Sequence, residues 1–556
     1  MNSTIKILVN NKQELIYPDK IKVKDILKDI NSFSSNPIIG AKINNQIIDF
    51  NYVINKDSKI EFFDKTDLNG YRMYIAGLKM VLEISLKNVF DHDTDLSFDH
   101  SIGNGIHVTL KNISNFTPND LTKVKLEMQR IINANEPFIK LNVASKEAIS
   151  YYKQINYPEK ALNIRNITNP LIILYKLEKY INYYYAEMPY STICLNDFEL
   201  IYINNYEIAL MFGKKDTDFM AMYQKYRFII DCFKQGKDWI NKLNIPYIAS
   251  INQEITKGRV LDLIRTCETA YNNELNNLVK EVIRDNKKFV MISGPSSSGK
   301  TTTSKKICLN LASYGYHPIL LSTDDYFLNR IDSPKDQDGN YNFECLEAID
   351  IKALNKDLND LLMGKEVSLP TFNFIKGIKE YSNKVVKMDN NSIVVIEGLH
   401  CLNDELTPEL RADLKYKVYL SPFIPVNVDS HNYISTTDLR LIRRIIRDNN
   451  NRGYNVSTTI ESWQNVRKGE AKYIFPYIDQ ANITLNSALA YELGVLKVYV
   501  DPLLFSVTID SPYYEEARRL INFLKNVFPI PSEYVSNDSV IREFIGGSSF
   551  KEKGDK

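Results

Sequence analysis

Apolar and polar positions follow four successive textures along the chain. Over residues 1–65, short apolar runs such as "IKILVN", "IIGAKINNQIIDFNYVI" and "KIEFFD" alternate with Asn-rich turns, and "KVKDILKDI" has helical spacing. This predicts a small β-rich module with one helix. Over 66–235 the pattern mixes. "MYIAGLKMVLEISLKNVF" reads as a helix and "HSIGNGIHVTL" as a strand with glycine turns. "FTPNDLTKVKLEMQRIINAN" reads as a helix capped by Thr117. Residues 236–286, including "GRVLDLIRTCETAYNNELNNLVKEVIRDNKK", are helical throughout and read as a connector. From 287 to 556, buried-strand runs ("KFVMIS", "HPILLS", "NSIVVIEG") alternate with helical stretches, the pattern of an α/β domain with a parallel sheet.

Composition narrows this only modestly. Of 556 residues, 44% are hydrophobic and 25% charged, with a net charge of +1. No global electrostatic case exists for nucleic acid or an anionic membrane, and nucleic acid stays possible only through the front units. The six cysteines lie far apart with no CxxC pair, which disfavours disulfides and zinc ribbons and suits a reducing compartment. The first twenty residues lack a signal-peptide core, and no apolar run would span a bilayer. The expectation is a cytoplasmic protein without a membrane partner. His92, His100 and His107 are too loosely spaced for a metal set and read as polar loop and strand surface. "YINYYYAEMPY" would stack bases only with interleaved cations, which it lacks, so it reads as a packed surface or an interface.

The chemistry concentrates in "VMISGPSSSGKTTTSKK". A buried strand, then GxxxxGK[ST], then a helix is the setting in which a phosphate-binding loop counts as one. Gly294, Ser296, Ser297, Ser298, Gly299, Lys300, Thr301 and Thr302 would cradle the phosphates of ATP. Lys300 would reach the β- and γ-phosphates, and the Thr301 hydroxyl would hold Mg²⁺. Glu397 ends the apolar run "SIVVIE", placed to hold the same metal. Asp324 and Asp325 lie at the exit of "HPILLS", where a kinase needs a carboxylate for the acceptor's hydroxyl proton. No NKxD tetrapeptide occurs, which disfavours a guanine-specific switch. Arg440, Arg443, Arg444 and Arg447 are spaced i, i+3, i+4, i+7 and share one helical face, suited to clamping a moving phosphoryl group.

The ordered segments "GPSSSGKTT", "LSTDDYF", "YNFECLEAID", "LPTFNF", "VVIEGLH" and "RLIRRIIRDNNNRG" resemble the uridine kinase and phosphoribulokinase family over roughly 288–485. The first module resembles the ubiquitin-like TGS β-grasp domain of threonyl-tRNA synthetases. The second resembles their α+β editing domain, without the histidine pair on its first helix and with Cys194 lacking its His partner. "SWQNVRKGEAKYIFPY" and "REFIGGS" look characteristic of a nucleoside-kinase branch that carries both front domains. The resemblance implies Asp324 as catalytic base, Arg444 and Arg447 on substrate and phosphates, and Tyr326, Glu344, Phe372 and Phe374 around the acceptor. The sequence departs from the family pattern: Gly377 replaces a base-reading histidine and Tyr454 a second lid arginine, and a glutamine that contacts the base is either Ser462 here or displaced along the alignment. The implied activity is ATP- and Mg²⁺-dependent phosphorylation of a nucleoside 5′-hydroxyl, uridine or cytidine by family default. A sugar-phosphate kinase of phosphoribulokinase type and an RNA-binding regulatory ATPase stand as alternatives. A homo-oligomer is possible.

Overall fold

The computed structural model describes residues 4–30, 36–91, 94–213, 218–335, 339 and 341–550. In the first module, the strands Thr4–Val9 and Ser58–Phe63 pair in parallel at the centre of a five-stranded sheet. Ile5, Ile7 and Val9 point inward while their neighbours face solvent, the period-two pattern of a half-buried strand. The helix Val23–Asp29 closes that core with Val23 and Ile26.

A 22-residue helix, Leu68–Val89, begins the second unit, with the Asp67 side chain accepting from the Asn69 and Gly70 amides. It packs on a four-stranded antiparallel sheet ordered Phe198–Asn204, Glu207–Phe212, Gly105–Lys111, Asp95–Ile102. The helix Pro118–Asn133 starts at Thr117 in a reciprocal capping box with Asp120. His100 and His107 are not surface residues, as their spacing suggested. Both are buried, with rings stacked at 5.0 Å, and His107 Nδ1 lies 3.1 Å from Asp99 Oδ2. The Phe233 ring, far on in the sequence, stacks on His100 at 4.0 Å and covers the pair, which a polar loop motif does not reveal. His92 lies outside the described residues.

The last unit is built on a wholly parallel sheet ordered His317–Ser322, Ser392–Glu397, Phe289–Ser293, Lys415–Ser421, Ile483–Asn486. Its central strand is buried on both faces. Val290 and Ile292 join one core and Phe289 and Met291 the other, which explains an apolar run without alternation. The helix Val260–Arg284 packs Leu275, Leu278, Val279 and Val282 into the first of these cores, so it covers the sheet instead of bridging units at a distance.

The second and last units interlock. Residues 427–433, after the strand Lys415–Ser421, run through the second unit. There Phe98 N–H donates to Ser430 O (2.9 Å) and Asn163 Nδ2 to Val428 O (2.8 Å). Asp429 and Lys160 form an ion pair at 3.3 Å with both side chains fully buried. Among the described residues, no helix is long and apolar enough to cross a membrane.

Candidate active site

The carboxyl ends of three adjacent parallel strands lie side by side, the edge at which ligands bind in sheets of this kind. The central strand delivers the phosphate loop, its neighbour delivers Glu397, and the edge strand His317–Ser322 leads into the short turn that carries Asp324. Strand register sets Glu397 level with Ile292 and with Ser322. The helix Lys300–Ser313 starts at Gly299, which is left-handed at φ +85°. Thr301 Oγ1 donates to Glu397 Oε1 at 3.5 Å. Lys300 Nζ folds back onto the carbonyls of Gly294 (2.8 Å) and Pro295 (3.1 Å). Asp324 is exposed.

Electrostatics tie these groups together. Burial raises the Glu397 carboxyl to about 7, the charge of Asp324 adds to the rise, and Lys300 opposes it. Glu344 is raised by burial, then by Glu470 and Asp324, and is drawn the other way by Arg444 and Lys300. A bound cation would offset the mutual repulsion of these carboxylates, and the donor set of Thr301 and Glu397 is all oxygen, which fits Mg²⁺.

Two carboxylates already sit on amides of the loop. Glu470 Oε1 accepts from Ser296 N–H (2.9 Å) and pairs with Arg440. Glu543 Oε2 accepts from the Thr302 N–H (3.1 Å) and hydroxyl (2.9 Å). Val540 lies beside it, so close to Gly299 that a Cβ there would stand 2.4 Å from Val540 Cγ2. "REFIGGS" is thus part of the loop's surroundings, a role its sequence alone did not reveal.

The phosphoribulokinase/uridine kinase family model matches residues 289–491. A uridine kinase from Ligilactobacillus salivarius is 30% identical over 221 residues, which is 39% of this chain and 94% of that protein. The chain belongs to the phosphoribulokinase/uridine kinase family. A threonine–tRNA ligase from Clostridium kluyveri is 27% identical over 169 residues, 30% of this chain but only 26% of the ligase. A solved structure of a possible uridine kinase from Bacillus stearothermophilus aligns with 38% of this chain and all of its own, at 17% identity and a TM-score of 0.26.

Within this family's kinase domain, the structure separates the expected site residues into two sets. Asp324, Lys300, Thr301, Glu397, Glu344 and Arg444 converge on the loop; Arg444 Nη1 donates to Ser296 Oγ at 2.9 Å. Arg447 lies one turn on and, with Arg444 and Arg452, faces the fully buried Asp448. The four-arginine face is split. Arg440 and Arg443 are buried structural ties, Arg440 to Ser296 O and Glu470, Arg443 to Ser487 O and Glu492. Tyr326 is a core residue and not a pocket wall, with its hydroxyl on Asp357 Oδ2 at 3.0 Å. Phe372 is also core, and its ring touches Phe374, which is 59% exposed. The residue type of an aromatic does not state which side it packs on, so sequence could not sort them. Gly377 sits in a tight hairpin turn at φ +70°, where a Cβ would meet the Arg330 side chain at 2.9 Å. No histidine fits there without rebuilding the turn.

Proposed function

We propose that the protein is an ATP- and Mg²⁺-dependent kinase that transfers the γ-phosphoryl group to the 5′-hydroxyl of a nucleoside. The observation that carries this reading is the convergence of Thr301, Glu397, Lys300 and Asp324 at the ends of three parallel strands. Residues 294–302 hold the ATP phosphates with backbone N–H groups and the helix N-terminus. Thr301 and Glu397 would hold Mg²⁺, which neutralises charge on the β- and γ-phosphates when bound. Asp324, which is exposed, accepts or orients the acceptor's hydroxyl proton. Lys300 leaves the loop carbonyls for phosphate oxygens, and Arg444 and Arg447 offset charge on the transferring group. Glu344 meets the ribose hydroxyls and the exposed Phe374 stacks on the base. Uridine or cytidine is the default acceptor from family likeness, and the Gly377 turn supplies no base-reading side chain.

The front units support a synthetase-derived origin, with a TGS-like β-grasp module and an editing-type fold lacking its metal histidines. They act as a scaffold for the kinase and not as a second catalyst.

ATP consumption is measured with uridine, cytidine, purine nucleosides and ribulose 5-phosphate, for the wild type and Asp324→Asn. The expected result is turnover of a nucleoside, lowered at least about 10²-fold by Asp324→Asn with nucleotide binding intact. Turnover of the sugar phosphate alone, or near-full activity in the variant, would refute the reading.

A further inference from the structure

Away from the phosphate loop, a cavity of ≈ 630 Å³ lies between the second unit and the base of the arginine helix. That volume is in the range of small-molecule sites. Five cations line it: Lys65, Arg72, Lys79, Arg467 and Arg519; Asp438 is the one lining carboxylate among the described residues. Three of the cations are matched. Lys65 pairs with Asp197, Arg72 with Glu516, and Arg519 with both Glu516 and Asp438.

Lys79 and Arg467 are different. Neither makes a hydrogen bond or an ion pair among the described residues. Lys79 is only 6% exposed, yet its ammonium faces aromatic rings, with the centroids of Phe98, Tyr184 and Tyr433 at 4.9, 5.0 and 5.4 Å. An ammonium held away from bulk water with no protein acceptor loses part of its hydration unless something in the cavity meets it. Cation–π contacts return only about 0.5–2 kcal/mol each. Burial accordingly pulls its pKa down to about 7, against the pull of Asp429 and Glu83. The remaining walls include the rings of Tyr71, Phe212 and Tyr433.

We propose that this cavity binds a small anion bearing a flat ring, its charge between Lys79 and Arg467 and its ring against the tyrosines. The site is separate from the kinase cleft, so the inference does not rest on the kinase reading. It is wired to that cleft all the same. Arg467 stands on the helix Val456–Tyr473, one turn before Glu470, whose carboxylate holds Ser296 N–H and Arg440. Asp438 stands in the first turn of the arginine helix Thr436–Arg452. An occupant drawing on Arg467 would shift the grip on the phosphate loop.

The ring-bearing anion is either a nucleotide or an aromatic acid, and the test separates them. Full-length protein, with the kinase cleft saturated by a non-hydrolysable ATP analogue, Mg²⁺ and uridine, is titrated calorimetrically with uridine 5′-monophosphate, adenosine 5′-monophosphate and 4-hydroxyphenylacetate. The same titrations use Lys79→Met and Arg467→Ala. Arg467 is exposed, so its variant leaves the fold intact. At least one probe binds the wild type, and each substitution weakens it tenfold or more. Absence of binding by all three probes, or binding undiminished by either substitution, overturns the proposal. Nucleoside phosphorylation plays no part in this readout.

Discussion

At Thr302, the Glu543 carboxylate accepts from both the amide and the hydroxyl, groups that the proposed reading assigns to a phosphate oxygen. If ATP binds the loop as proposed, its phosphate must displace that carboxylate and approach its negative charge. Glu543→Gln should therefore tighten nucleotide binding about 5- to 10-fold, corresponding to roughly 1 kcal/mol for a charge-assisted hydrogen bond no longer in competition. The KM for ATP and direct titration of the nucleotide check this, and an unchanged or weaker affinity would make Glu543 a supporting residue. The residues legible in the sequence were those whose chemistry demands a particular atom at a particular strand end: Lys300, Thr301, Asp324 and Glu397. Glu543 was not legible, because it comes 241 residues after its partner and nothing in "REFIGGS" states which amide it meets. The aromatics failed for another reason. Tyr326 and Phe374 share a residue class, but only packing decides that one is core and the other exposed.

Among elements, the arginine helix shows what periodicity does and does not specify. Spacing correctly puts four arginines on one face. It cannot say that Glu470, Ser487 and Glu492 close over the first two, so that Arg440 and Arg443 are buried while Arg444 and Arg447 keep partial exposure. Arg443 and Glu492, both fully buried, pair at 2.5 Å, and the guanidinium also lies 4.9 Å from the centre of the Phe544 ring. Removing one charge leaves the other buried alone. Arg443→Met should lower stability by about 3–5 kcal/mol, and the double variant Arg443→Met with Glu492→Leu should recover most of that loss. Urea denaturation of the three proteins measures it, and equal losses in single and double variants would show that the arginine matters for packing and not for charge. Strand-helix alternation from 287 onward was readable for a similar physical reason. A sheet buried on both faces forces continuous apolar runs, which few other arrangements produce.

For the molecule as a whole, the four textures were visible, but their interlocking was not. His431 Nε2 meets Asp95 Oδ1 at 3.1 Å across 336 residues, and His431 Nδ1 approaches Asn182 and Glu83. No local pattern encodes a contact at that distance along the chain. The network titrates in a defined direction. Burial would raise the Glu83 carboxyl, but the charges of His431, Lys87 and Lys160 overcome it and hold it at about 2. The folded value lies below the unfolded one of about 4.3. Its stabilisation is therefore fully present above about pH 4.3 and is lost as pH falls towards 2. Glu83→Gln should cost on the order of 3 kcal/mol at pH 7, with the gap to wild type narrowing through pH 4 and 3. Chemical denaturation at those pH values tests it, and a gap that does not change with pH would place the effect in packing alone.

The passage of residues 427–433 through the second unit also bears on synthesis. Glu83, Asp95, Lys160 and Asn182 leave the ribosome well over two hundred residues before Asp429 and His431 arrive to meet them. Domains generally fold as they emerge, the N-terminal one first. Here the earlier unit must wait with a charged slot open until a segment of the later one slides in. The order of completion runs against the order of translation.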